Sequence, residues 1–219
     1  MAITNGRGDD NKVRILEQYC LHPVMHTLLL NGRSITCCCG QPVTDAFYQF
    51  DALDHAGNVV SLLYAGDACA ETFLRLSEVS GAAPITPLPI FNPLQSINDG
   101  GDHGLGSAQC GNNVAADPLN AELERAIYLT LLCWGSRPRP EAVFSQLLDR
   151  MRQHPDRPPM DWEVRAVNTA IGKSGRTLTA MLAELRVPNE KLRHYIFPQL
   201  EMVLGREAAR TGLRIHNNF

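Results

Sequence analysis

The chain has 219 residues, 44% of them hydrophobic, with a formal net charge of −3 and a sequence pI of about 6.2. That apolar content suffices for one large core or two small ones, and the balance excludes a protein that grips nucleic acid by overall basicity. The charge is uneven: residues 1–116 hold 5 Lys and Arg against 11 Asp and Glu, and residues 117–219 hold 15 against 12, so two modules with different partners are expected.

Residues 1–11 are polar and Gly-rich and read as a mobile N-terminus. They carry no apolar signal region. No run approaches the ~20 apolar residues of a membrane helix, so no membrane partner is expected. Seven cysteines, at 20, 37, 38, 39, 69, 110 and 133, make an odd count. The reading is a soluble, cytoplasmic protein, where clustered cysteines point to metal or catalysis before disulfides.

From residue 12, "KVRILEQYCLHPVMHTLLL" shows helical spacing through Val13, Ile15, Leu16 and Tyr19 until Pro23 interrupts it. Asn31-Gly32 marks a turn. "VTDAFYQFD" (43–51) and "VVSLLYA" (59–65) are aromatic and β-branched and predict an antiparallel hairpin. A helix follows Gly66, with Asp67 as its N-cap. Residues 79–117 are rich in Pro, Gly and Asn and form the linker candidate, and their apolar stretch "PITPLPIFNPL" suits an extended path over a domain surface.

From Asp117 the pattern is helical. Asp117-Pro118 reads as an N-cap followed by Pro at the first helical position, and Leu119, Leu123, Ile127, Leu131 and Trp134 stripe one face. Further helices are predicted over about 140–153, 161–171 and 175–187. A fifth opens at Pro188 and is kinked or split by Pro198. The fold class is therefore α+β: a zinc-stabilised hairpin-plus-helix module over 12–78, then an all-α helical bundle over 118–219.

The chemistry concentrates in "Cys37-Cys38-Cys39-Gly40" and in Cys69 at a helix start. A Cys-x-Cys-Gly turn can aim two thiolates at one metal, because Gly lets the chain reverse. A helix N-terminus favours the third as thiolate. These stretches, "CCCGQPV" and "AGDACAETFL", resemble the treble-clef type of zinc module, in which a knuckle, a hairpin and a helix surround one zinc. The resemblance implies Cys37, Cys39 and Cys69 as ligands. The chain departs from it by spacing its knuckle cysteines Cys-x-Cys and by carrying Thr72 at the second helix position. His26 is the favoured fourth ligand, with His22, Cys20, His55 and Cys38 as alternatives. Cys38 is expected to point away if the stretch is extended.

Around Gly172, "AIGKSGRTLTAMLAEL" is similar to the turn and second helix of helix-turn-helix DNA-binding units. The likeness extends over 165–187 and implies Lys173, Ser174, Arg176 and Thr179 as nucleic-acid contacts, with Ser174 capping the second helix. The alternative is a plain helical hairpin in a bundle. "GKS" is not a phosphate loop, since Val167 stands where that loop needs glycine. The expected function is a non-enzymatic zinc-binding regulatory or adaptor protein whose helical half contacts nucleic acid. The alternatives are a protein-interaction adaptor without nucleic-acid binding, and a thiol hydrolase using Cys69, with His55 as base and Asp54 or Asp45 orienting it.

Overall fold

The computed structural model describes residues 2–94, 116–135 and 142–219, so Cys110 lies outside the described residues. The chain divides into two units: Met1–Asn92 with Gly135–Ala142, and Pro93–Trp134 with Val143–Phe219. The first holds a small antiparallel sheet, the second is helical, and together they make a mixed α+β protein. No described helix is long and apolar enough to cross a membrane.

The first unit opens with helix α1 (Asp9–Gln18), which buries Ile15 and Leu16. The helical spacing expected to last until Pro23 ends earlier, at Gln18. The backbone turns extended at Tyr19, and Cys20–Leu28 is strand β1. Pro23 sits in an edge strand, at the register irregularity between Pro23 and Met25 in the pairing with β2 (Ala46–Leu53), and both are positions where a missing N–H is tolerated. Strand β3 (Val59–Gly66) completes the order β1-β2-β3. Asp54 Oδ1 accepts the Ala56 and Asn58 N–H groups at 2.9 and 2.8 Å and closes the β2–β3 turn.

Helix α2 (Asp67–Val79) leaves β3 directly, with Gly66 and not Asp67 at its N-cap. Its Phe73, fully buried, meets the ring of Phe50 from β2 at 6.4 Å. Residues 2–6, expected to be mobile, are instead held down. Ile3 N–H donates to the Leu62 carbonyl and Gly6 N–H to the Cys38 carbonyl, each at 2.8 Å.

The first part of the expected linker is also docked. Ile85 and Phe91 are buried, Ile85 N–H donates to Ser77 Oγ, and Phe91 N–H donates to the His26 carbonyl at 2.8 Å.

In the second unit, Asp117 Oδ1 accepts the Leu119 and Asn120 N–H groups and caps helix α3 (Pro118–Trp134), as expected. Helices α4 (Ala142–Gln153), α5 (Asp161–Gly172), α6 (Leu178–Arg186) and α7 (Pro198–Thr211) follow. Pro198 neither kinks nor splits a helix: it begins α7, where its missing N–H costs nothing. The Gln199 and Leu200 N–H groups that follow both donate to Glu122 Oε1 of α3, at 2.9 and 3.0 Å.

Burial raises the Glu122 carboxyl above its usual range, and the two N–H donors oppose that shift. Glu122→Ala leaves both donors without their acceptor, and an expected loss of ~1–3 kcal/mol is read by chemical denaturation. Glu122→Gln, which keeps an acceptor oxygen, should lose less.

Candidate metal centre

Each cysteine of the cluster is positioned by backbone hydrogen bonds. Thr36 bridges to Pro42, Cys37 N–H donates to the Gln41 carbonyl at 2.8 Å, and Gly40 N–H donates to the Cys37 carbonyl at 2.8 Å. Gly40 takes φ +85°, open to glycine and strained for other residues. Residues 37–40 are thus a tight turn. Cys38 N–H donates to the Tyr64 carbonyl of β3 at 2.7 Å, and this fixes the turn beside the start of α2, where Cys69 is the third residue.

The expectation that Cys38 points away fails for this reason. Side chains alternate along a strand, but in a turn neighbouring side chains can converge. Cys37 Sγ and Cys38 Sγ lie 3.9 Å apart, and the sulfurs of Cys37, Cys38 and Cys69 are all within 4.8 Å of one another. Cys39, the next residue of the same turn, lies outside that group of three but near enough to influence the Cys37 and Cys69 thiols. Cys37 and Cys38 are buried, while Cys39 and Cys69 are partly exposed. No disulfide joins the described cysteines.

Spacing and electrostatics both suit a soft cation. A metal–sulfur distance of about 2.3 Å gives a tetrahedral edge of about 3.8 Å, close to the 3.9 Å between Cys37 and Cys38. The Cys38 thiol donates to Cys37, and this is the largest influence holding Cys37 down at about 4, against its burial. Backbone N–H groups of Cys39 and Gly66 act in the same sense. The same shared proton pushes Cys38 up. Burial first, then the neighbouring sulfurs, push Cys69 up to about 12. Of the four thiols, Cys37 is the one favoured as a thiolate. Further thiolates would need a positive charge among them.

The other nominated ligands lie elsewhere. His26 stacks on Tyr48 at 4.0 Å, and its ring nitrogens face the Leu88 carbonyl at 3.0 Å and Asp67 Oδ1 at 3.1 Å. Cys20 and His22 sit in β1 opposite Leu53 and Asp51, and His55 is in the β2–β3 turn. The eight residues of β3, roughly 26 Å at about 3.3 Å per strand residue, separate that turn from Asp67, so His55 and Asp54 are remote from Cys69. Asp45, just before β2, accepts the Thr44 hydroxyl at 3.2 Å. Thr72 turns its hydroxyl back to the Ala68 carbonyl at 2.8 Å.

One contributor was missed by sequence reasoning: Gly6. A Cβ built there would stand 2.8 Å from Cys38 Sγ, so the N-terminal strap covers the cluster only because residue 6 has no side chain. The glycine is visible in the sequence, but no local signal pairs it with Cys38.

In the helical unit, α5 and α6 are joined by residues 173–177. The cap of α6 is Thr177, accepting from Ala180 N–H, rather than Ser174, whose hydroxyl bonds within the turn to Arg176. Arg176 pairs with Glu184 of α6. Thr179 donates to the Phe219 carbonyl at 2.8 Å. Lys173 follows α5 directly and lines an open cavity with Arg165, Arg214 and His216.

A family model matches residues 4–211, and the chain belongs to that family, described as "Uncharacterised conserved protein UCP028583". No curated protein and no solved structure matches the chain.

Proposed function

We propose that Cys37, Cys38, Cys39 and Cys69 hold one zinc ion in a structural role. The chain would act as a non-enzymatic regulatory or adaptor protein whose helical unit meets a macromolecule. The observation that carries this is the convergence of three sulfurs, those of Cys37, Cys38 and Cys69, from two elements, with Cys39 next in the same turn as the available fourth. Four thiolates would close a tetrahedral shell and leave no position for water, as in structural sites and unlike catalytic ones. Backbone N–H groups already aimed at Cys37 would serve as the outer shell that orients a ligand.

The order of turn, hairpin and helix-start cysteine supports the treble-clef reading, with Cys38 in the place first given to His26. The hydrolase reading gains no support, since Cys69 is held as a thiol and His55 is remote.

Alkylation of native protein tests the zinc reading with its own control. Exposed Cys20 should label at once, while residues 37, 38, 39 and 69 should stay unlabelled until a chelator is added. If the partly exposed Cys39 and Cys69 label as fast as Cys20 without chelator, the reading fails.

A further inference from the structure

The helical unit carries a basic groove that none of the metal chemistry uses. Its walls are the end of α5 with the following turn, and the segment after α7. They enclose an open cavity of about 540 Å³ lined by Arg165, Lys173, Arg214 and His216, among others. Residues 164–183 and 208–219 contain no Asp or Glu at all. Glu207, buried between Arg165 and Arg210, and Glu184, which meets Arg176, reach these walls from outside those stretches. Four glutamates of this unit, Glu122, Glu124, Glu163 and Glu207, are buried. Two of them are neutralised by arginines, Glu163 by Arg150 and Glu207 by Arg165 and Arg210.

The groove is also rigidly built. Buried Asn168 of α5 donates to the His216 carbonyl at 2.8 Å and accepts the Asn218 N–H at 2.8 Å. Leu178 N–H at the head of α6 donates to the Asn218 carbonyl at 2.7 Å. Phe219 is buried and meets the ring of Phe197 at 6.0 Å. The tail that carries exposed Arg214 and His216 is thus pinned on both sides of them, by Gly212 closing α7 and by the Asn168 bonds. Pre-placed cations along an open channel suit a ligand with evenly repeated negative charge.

We infer that this groove binds the phosphodiester backbone of a single nucleic-acid strand, with Lys173 and Arg214 on opposite walls contacting successive phosphates. The site differs from the helix-turn-helix expectation. Arg176, Ser174 and Thr179 bond to Glu184, the 174–176 turn and Phe219, Arg165 pairs with Glu207, and the contacts are placed on the two cavity walls, at Lys173 and Arg214. The inference rests on the helical unit as the part that meets a macromolecule, and not on the metal.

The test uses the full chain and fluorescence anisotropy with a labelled strand of about 16 nucleotides, over about 50 to 200 mM salt. The expected result is saturable binding that weakens as salt rises. The double variant Lys173→Ala/Arg214→Ala should raise Kd at least tenfold and flatten the log–log salt slope by about 1.4, since each lost phosphate contact on a single strand contributes about 0.7. Arg214 is exposed, so its single variant, with an unchanged unfolding curve, guards against misfolding as the cause. No binding by the native chain, or equal affinity of native and double variant, overturns the inference. So does competition by free pyrophosphate as strong as by the strand. Metal content measured on the same sample separates this failure from failure of the zinc reading.

Discussion

Cys69→Ser is expected to lower the stability of the first unit by at least ~3 kcal/mol, roughly a quarter of the about 10–16 kcal/mol that a structural zinc site supplies. For a unit of this size that moves the thermal midpoint by more than about 10 °C. The reason is positional. Cys37, Cys38 and Cys39 share one turn, and Cys69 alone comes from α2. Without it a metal could no longer join the two elements. Calorimetry of the native and variant proteins, each with and without chelator, checks this. The chelator should destabilise the native chain strongly and the variant little. An equal effect on both would show that Cys69 is not a ligand.

Phe73→Ala should cost ~3–5 kcal/mol, the usual range for emptying a phenylalanine site in a packed core. Phe73 is fully buried, contacts Phe50 of the sheet, and lies one turn along α2 from Cys69. Its loss removes the apolar attachment of α2 while leaving all four sulfurs in the chain. Denaturant unfolding should therefore show a large drop in midpoint at unchanged metal stoichiometry below the transition. A loss under about 1 kcal/mol, the scale of a surface change, would contradict the packing of α2 described above.

The parts of the fold that could be read from sequence are those specified locally. The aromatic and β-branched runs at 43–51 and 59–65 need only their own alternation and a turn, and they supply most of β2 (Ala46–Leu53) and β3 (Val59–Gly66). Asp117-Pro118 announces α3 because a cap and a fixed φ act within one turn. The misreadings share a cause: the deciding partner is distant in sequence. β1 is a strand because it pairs with β2, and Pro23 survives there at an irregularity that no local pattern shows. Pro198 opens α7 because Glu122, in another helix, receives the next two N–H groups.

The candidate site follows the same division. The Cys-x-Cys-Gly turn and the helix start pointed to Cys37, Cys39 and Cys69, and the three sulfurs within 4.8 Å of one another are those of Cys37, Cys38 and Cys69. Cys38 was misjudged because strand alternation was assumed for a stretch that folds as a turn. His26 was nominated by residue type, and the structure gives its two nitrogens to Leu88 and Asp67. The groove was out of reach for another reason. Its two carboxylate-free walls are plain in the sequence, but residues 184–207 lie between them, and only folding brings them to one cavity.

The most direct test of the central claim is elemental analysis of the native protein, purified without added metal or chelator. The account predicts one zinc per chain, retained through dialysis and lost in Cys69→Ser. A folded, stable native chain with no bound metal would contradict it.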